Sequence, residues 1–108
     1  MTSPPLPEWN QTALMMQQAL LGVISPNFRL MTLDHNGCEW VMHFVLETDS
    51  VEDREEIESA VSDWEGMYDS PVPHYVEIEV CKGPMKKPLQ SARWLYLRRE
   101  PSHWQQID

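Results

Sequence analysis

Residues 38–47, CEWVMHFVLE, constrain the fold more than any other stretch of this chain. Alternation puts Trp40, Met42, Phe44 and Leu46 on one side of an extended backbone and Val41, His43 and Val45 on the other, so both sides are unusually apolar. A strand of that kind belongs inside a sheet that is covered on both faces. Three further strands are predicted around it. FRLMTL (28–33) places Phe28, Leu30 and Thr32 on one side and Arg29, Met31 and Leu33 on the other, and Asn36-Gly37 tolerates the positive φ angles of a tight hairpin turn between these two strands. HYVEIEVC (74–81) alternates Val76, Ile78 and Val80 with Tyr75, Glu77 and Glu79, and in RWLYLRRE (93–100) Leu95 and Leu97 alternate with Trp94, Tyr96 and Arg98.

Two helices complete the pattern. From Asn10 to Ile24, the residues Ala13, Met16, Leu20, Val23 and Ile24 recur at helical spacing, and Ser25-Pro26-Asn27 ends the run. Leu14, Met15 and Leu21 lie off that stripe, so this helix is either deeply buried or carries a second interface. The second helix falls in DSVEDREEIESAVSDWEG (49–66), with Ile57, Ala60, Val61, Trp64, Met67 and Tyr68 on one stripe and Glu52, Glu55, Glu56, Ser59 and Asp63 opposite. Ser50 is its N-cap, and Asp53 is placed to reach back to the Ser50 amide as in a capping box. The order is αββαββ: an α+β fold with a four-stranded, mainly antiparallel sheet made of two hairpins and packed with two helices. Strand order does not follow from this pattern, although the two-sided second strand favours a central place and 1-2-4-3 would keep every neighbour antiparallel. A chain of 108 residues holds one core. The expected division is a proline-rich flexible lead-in (1–8), a single domain (9–100) and a C-terminal tail (101–108).

Charge narrows the function. The net charge is −9, and 15 of the 17 acids lie before residue 82 beside only two bases, Arg29 and Arg54, whereas six bases follow that point. A dominant negative field opposes binding to nucleic acid or to an anionic membrane. No apolar run approaches the roughly 20 residues that span a bilayer, and the N-terminus lacks the pattern of a secretory signal, so a cytoplasmic protein is expected. Cys38 and Cys81 are far apart and read as buried thiols rather than a disulfide or metal site. His35, His43, His74 and His103 are too scattered for a metal centre, and no cofactor is expected. The carboxylates of the second helix sit in full solvent, unlike a general acid–base pair. No phosphate-cradling loop or nucleophile motif is present, so an enzyme is not expected. The aromatic and basic RWLYLRRE reads as strand residues whose arginines offset glutamates such as Glu77 and Glu79, rather than as an RNA platform. What remains is the profile of a protein that binds a basic surface.

The stretches ALLGVISPNFRL, EWVMHFVLETDSVEDREEIE and WLYLRRE resemble small bacterial proteins encoded beside secreted toxins. They are similar to immunity proteins of contact-dependent growth inhibition and related polymorphic-toxin systems, over about Leu14 to Arg99. The resemblance implies a cytoplasmic antidote that binds one cognate toxin domain, often a nuclease, and blocks its active site. An acidic helix is a charge mimic suited to a basic nuclease cleft. The candidate toxin-binding residues are then Glu52, Glu55, Glu56 and Asp63 on the second helix, with Tyr75, Glu77, Glu79, Trp94 and Tyr96 on the sheet. Two other readings stand beside this one: an interaction or regulatory module that homodimerises through its first helix, and a small enzyme with a site assembled from His43, Glu77 and Arg98. The expected state is a monomer or weak homodimer.

Overall fold

The computed structural model describes residues 3–106. Its elements run α1 (Leu6–Ala19), β1 (Phe28–His35), β2 (Trp40–Leu46), α2 (Val51–Glu65), β3 (His74–Val80) and β4 (Arg93–Leu97), an α+β fold with one four-stranded sheet. Helix α1 begins earlier than its apolar stripe predicts. Pro5 is its N-cap in extended geometry and Pro7 lies in the first turn, where no backbone N–H is required, so the prolines start the helix instead of excluding it. The helix also ends before Ile24. Gly22 takes a φ of +80°, and the Leu21 and Val23 amides donate to Gln18 and Leu20, closing the helix in tight turns ahead of Pro26.

The strand order is β3-β2-β1-β4, not the all-antiparallel 1-2-4-3. Strand β1 pairs antiparallel with β2 and β4, but β2 and β3 are parallel, so β3 and β4 form no hairpin and occupy opposite edges. The connection explains this. A helix of 15 residues is about 22 Å long and a strand of seven about 23 Å, so α2 carries the chain back to the end of the sheet where β2 began. The doubly apolar β2 is interior, as its pattern requires. The hairpin turn also differs. Its loop has four residues, with only Gly37 at positive φ (+93°), while the Asn36 side-chain oxygen accepts from the Cys38 and Glu39 amides. Cys38 is exposed on this turn rather than buried, and Cys81 is part-buried.

Both helices pack on one face of the sheet. Met16, Phe28, Met31, Phe44, Ile57 and Trp64 are among the fully buried side chains of this core. Two register shifts change which residues reach it. A bulge between Phe28 and Leu30 sends Met31 and Leu33 to the helix side and turns Leu30 to the other. A second shift, opposite Met31 and Thr32, pairs Tyr96 with Met31 and Trp94 with Thr32, so Leu95 is the extra residue. The far face has a smaller core of Leu30, Val45 and Met85, with Cys81, Leu97 and Trp104 against it. This cover comes from the β3–β4 connection and from the segment after Glu100. The latter, expected as a tail, bridges back at Trp104 to Met85, with the Met85 amide donating to His103 and the Gln105 amide to Met85.

Candidate functional site

Helix α2 is the best-anchored charged element. The Ser50 hydroxyl accepts from the Asp53 amide at 3.1 Å. The Asp53 carboxylate does not close a capping box. It is buried and accepts from Ser25 Oγ (2.9 Å) and Asn27 Nδ2 (2.8 Å), tying the helix to the chain entering β1. Ile57, Ala60, Val61 and Trp64 are buried beneath the helix, whereas Met67, past its end, is exposed and Tyr68 is half-buried. On the outside Glu52, Glu55, Glu56 and Asp63 are all exposed, and among the described residues none has an ion-pair partner. The one base of the segment, Arg54, is committed to Asp49 at 2.6 Å, and that hydrogen bond holds the Asp49 carboxyl below its usual range.

The sheet candidates do not form one surface. Tyr75, Glu77 and Glu79 are exposed on the far side of edge strand β3, paired in register with Val41, His43 and Val45. His43 is hydrogen-bonded there, its Nε2 3.1 Å from Glu79. Tyr75 has its phenol pushed above the usual value by desolvation first, then by Glu77, with Glu39 and Asp34 adding to the effect. Beside it lies a cavity of about 210 Å³ bounded by Asp34, His35, Tyr75, Glu77 and Leu89. Trp94, on the opposite edge strand, is exposed and packs against Trp104 with the rings tilted and their centroids 5.1 Å apart. Tyr96 lies on the helix side instead, half-buried against the main core, because the extra residue Leu95 breaks the alternation. Arg93 in β4 and Arg98 just after it do not offset Glu77 and Glu79. Arg93 donates to Asn10 and covers the Trp9 ring, while Arg98 donates to Glu47, Glu100 and the Pro26 carbonyl. Arg98 is thereby held at the Glu47 end of β2, away from His43 and Glu77.

The fold also creates a surface that residue spacing alone does not report. A groove of about 520 Å³ runs between α2 and β3, floored by Ile57, Val61, Val76 and Ile78 and flanked by Arg54, Glu58, Ser62 and Glu65. It exists because β3 extends the sheet beyond the cover of α2. The signal for it was the long helix-containing connection between β2 and β3, which favours a parallel edge strand. Among the described residues no group of three His, Cys, Asp or Glu side chains is gathered to hold a metal ion, and no helix is long and apolar enough to cross a membrane.

The chemistry on display is that of a surface: unpaired carboxylates on a rigid helix and an acidic edge strand beside an apolar groove. This is the equipment of a protein that binds another protein. Residues 10–100 match the family model described as MafI2 immunity protein, and the chain belongs to that family. Comparison with curated proteins finds no match. Membership carries the role of an immunity protein, a partner for a cognate toxin, and suggests an inhibitor rather than a catalyst.

Proposed function

We propose that this immunity protein neutralises a nuclease toxin in the cytoplasm by laying the acidic outer face of α2 over the toxin's basic active-site cleft, in a system of the contact-dependent growth inhibition or polymorphic-toxin type. The observation that carries this reading is the set of unpartnered carboxylates Glu52, Glu55, Glu56 and Asp63 on a helix whose other side is fixed in the core. Concentrated like charge opposes the compact state, and a cationic partner relieves that repulsion. The same charge steers association, which suits an antidote that must reach its target before the substrate does.

The test is replacement of Glu55 and Glu56 together by lysine, followed by protection of cells expressing the cognate toxin domain. Toxin binding is expected to weaken and to lose part of its salt dependence. The fold is expected to persist, because both positions are exposed beyond the N-cap. Full protection with unchanged affinity would move the site off α2, to Tyr75, Glu77 and Glu79 on the β3 edge or to Trp94 on the opposite one. A second reading has its own observation: Leu14 and Leu21 are 62% and 73% exposed on α1 and its C-terminal turn, a surface suited to self-association.

A further inference from the structure

Strand β3 is an edge guarded by the charge of Glu77 and Glu79 rather than by its shape. Its pairing with β2 runs through seven consecutive residues, His74 to Val80, without a bulge, and no proline interrupts it. Among the described residues no strand pairs with its outer side. Exposed edges of this kind are templates for another strand. On the helix side the edge overlooks the groove, where Val76 and Ile78 are only half-buried above Ile57 and Val61. On the other side it presents Glu77 and Glu79 to solvent.

From this we infer that the β3 edge and the α2–β3 groove together receive one extended strand of the toxin, in which apolar residues alternate with lysine or arginine. The inference rests on the toxin-binding reading and adds a second contact beside the helix face. Side chains of an added strand alternate between the two faces of the sheet, like those of its neighbour. Those turned toward α2 enter the apolar groove between Glu58 and Glu65. Those turned the other way lie beside Glu77 and Glu79, where opposite charges on adjacent strands are favourable. A second copy of this chain is the poorer occupant. Pairing two β3 edges would bring Glu77 and Glu79 of one copy against the same carboxylates of the other, and like charges across a strand pair are destabilising.

The probe is a short alternating lysine–valine peptide, titrated by fluorescence anisotropy against the whole protein, with an alternating glutamate–valine peptide as its charge opposite. The lysine peptide is expected to bind and to slow amide exchange at alternate residues of β3. A version N-methylated at alternate residues keeps the side chains but removes backbone donors, and is expected to bind about tenfold more weakly, the loss of one or two hydrogen bonds. Glu77→Lys with Glu79→Lys is expected to reverse the preference between the two peptides. Absence of binding, exchange protection away from β3, or equal binding of the methylated peptide overturns the inference. The toxin-protection assay separates the two claims. Protection lost with both the Glu55/Glu56 and the Glu77/Glu79 lysine variants supports the edge site. Protection lost only with the Glu55/Glu56 variant overturns the edge site and leaves the toxin reading standing, and protection kept by both overturns both.

Discussion

Trp64 holds the acidic helix to the molecule through a ring that meets Tyr68 and His74 edge-on, each at 5.1 Å between centroids. It is fully buried, and its indole N–H has no hydrogen-bond partner among the described residues. The two facts separate packing from polarity. Trp64→Ala is expected to cost about 3–5 kcal/mol, read as a lower denaturation midpoint. Trp64→Phe is expected to stay within about 1.5 kcal/mol of the parent, because it keeps an aromatic ring in the core and deletes an unsatisfied donor. Asp53 is the polar counterpart. Removing its carboxylate in Asp53→Ala takes the acceptor from Ser25 Oγ and leaves Asn27 Nδ2 with the Thr48 carbonyl alone, an expected loss of about 1–3 kcal/mol in the same measurement.

At the scale of elements, the start of β1 and the segment after β4 are joined by an ion pair. Arg29, the extra residue at the β1 bulge, donates to both Glu100 oxygens (2.9 and 2.6 Å) and to the Cys81 and Gly83 carbonyls, with the two side chains only 4% and 9% exposed. Arg98 adds a further bond to Glu100. The Arg29 hydrogen bond holds the Glu100 carboxyl below its ordinary 4.5, against the opposing effect of desolvation. A carboxyl with a lowered folded pKa contributes stability that is fully present above its unfolded pKa and is lost as pH falls through the folded one. Melting temperature is therefore expected to fall as the solution is acidified below about pH 4.5, and more shallowly in Glu100→Gln, which has no carboxylate to titrate at that position. Glu100→Ala strands the Arg29 charge, with an expected loss of about 3–5 kcal/mol, and Arg29→Met combined with Glu100→Leu is expected to recover much of it. A double variant no more stable than Glu100→Ala would show that the carbonyl contacts of Arg29, and not its charge, fasten this corner.

At the scale of the whole molecule, charge and apolar surface point in different directions. Most of the exposed acids lie on α2 and β3, whereas Leu14 and Leu21 lie on α1 and the turn after it. If the α1 surface self-associates, sedimentation at rising concentration is expected to show a dimer that Leu14→Glu with Leu21→Glu abolishes while toxin protection survives. A monomer at every concentration would remove that role from α1. The net charge of −9 adds a solution property: added salt is expected to raise the melting temperature modestly by screening repulsion along α2.

Periodicity carried much of the fold. The stripe Ile57, Ala60, Val61, Trp64 and the two-sided β2 were legible because each depends on residues a few positions apart, and the exposure of Glu52, Glu55, Glu56 and Asp63 followed from the same helical geometry. Where the chain turns and which strands meet depend on contacts between distant residues. Gly22 and the early prolines reset the limits of α1 through local backbone geometry that a hydrophobic stripe does not report. The bulges beside Arg29 and at Leu95 each insert one residue, and one residue is enough to move Leu30 and Tyr96 to the opposite faces. The parallel pairing of β2 with β3 was decided by the return path of α2 across the sheet. That path separated Glu77 and Glu79 from Arg93 and Arg98 and left an acidic edge strand beside an apolar groove, a surface that exists only once the sheet has closed in the order β3-β2-β1-β4.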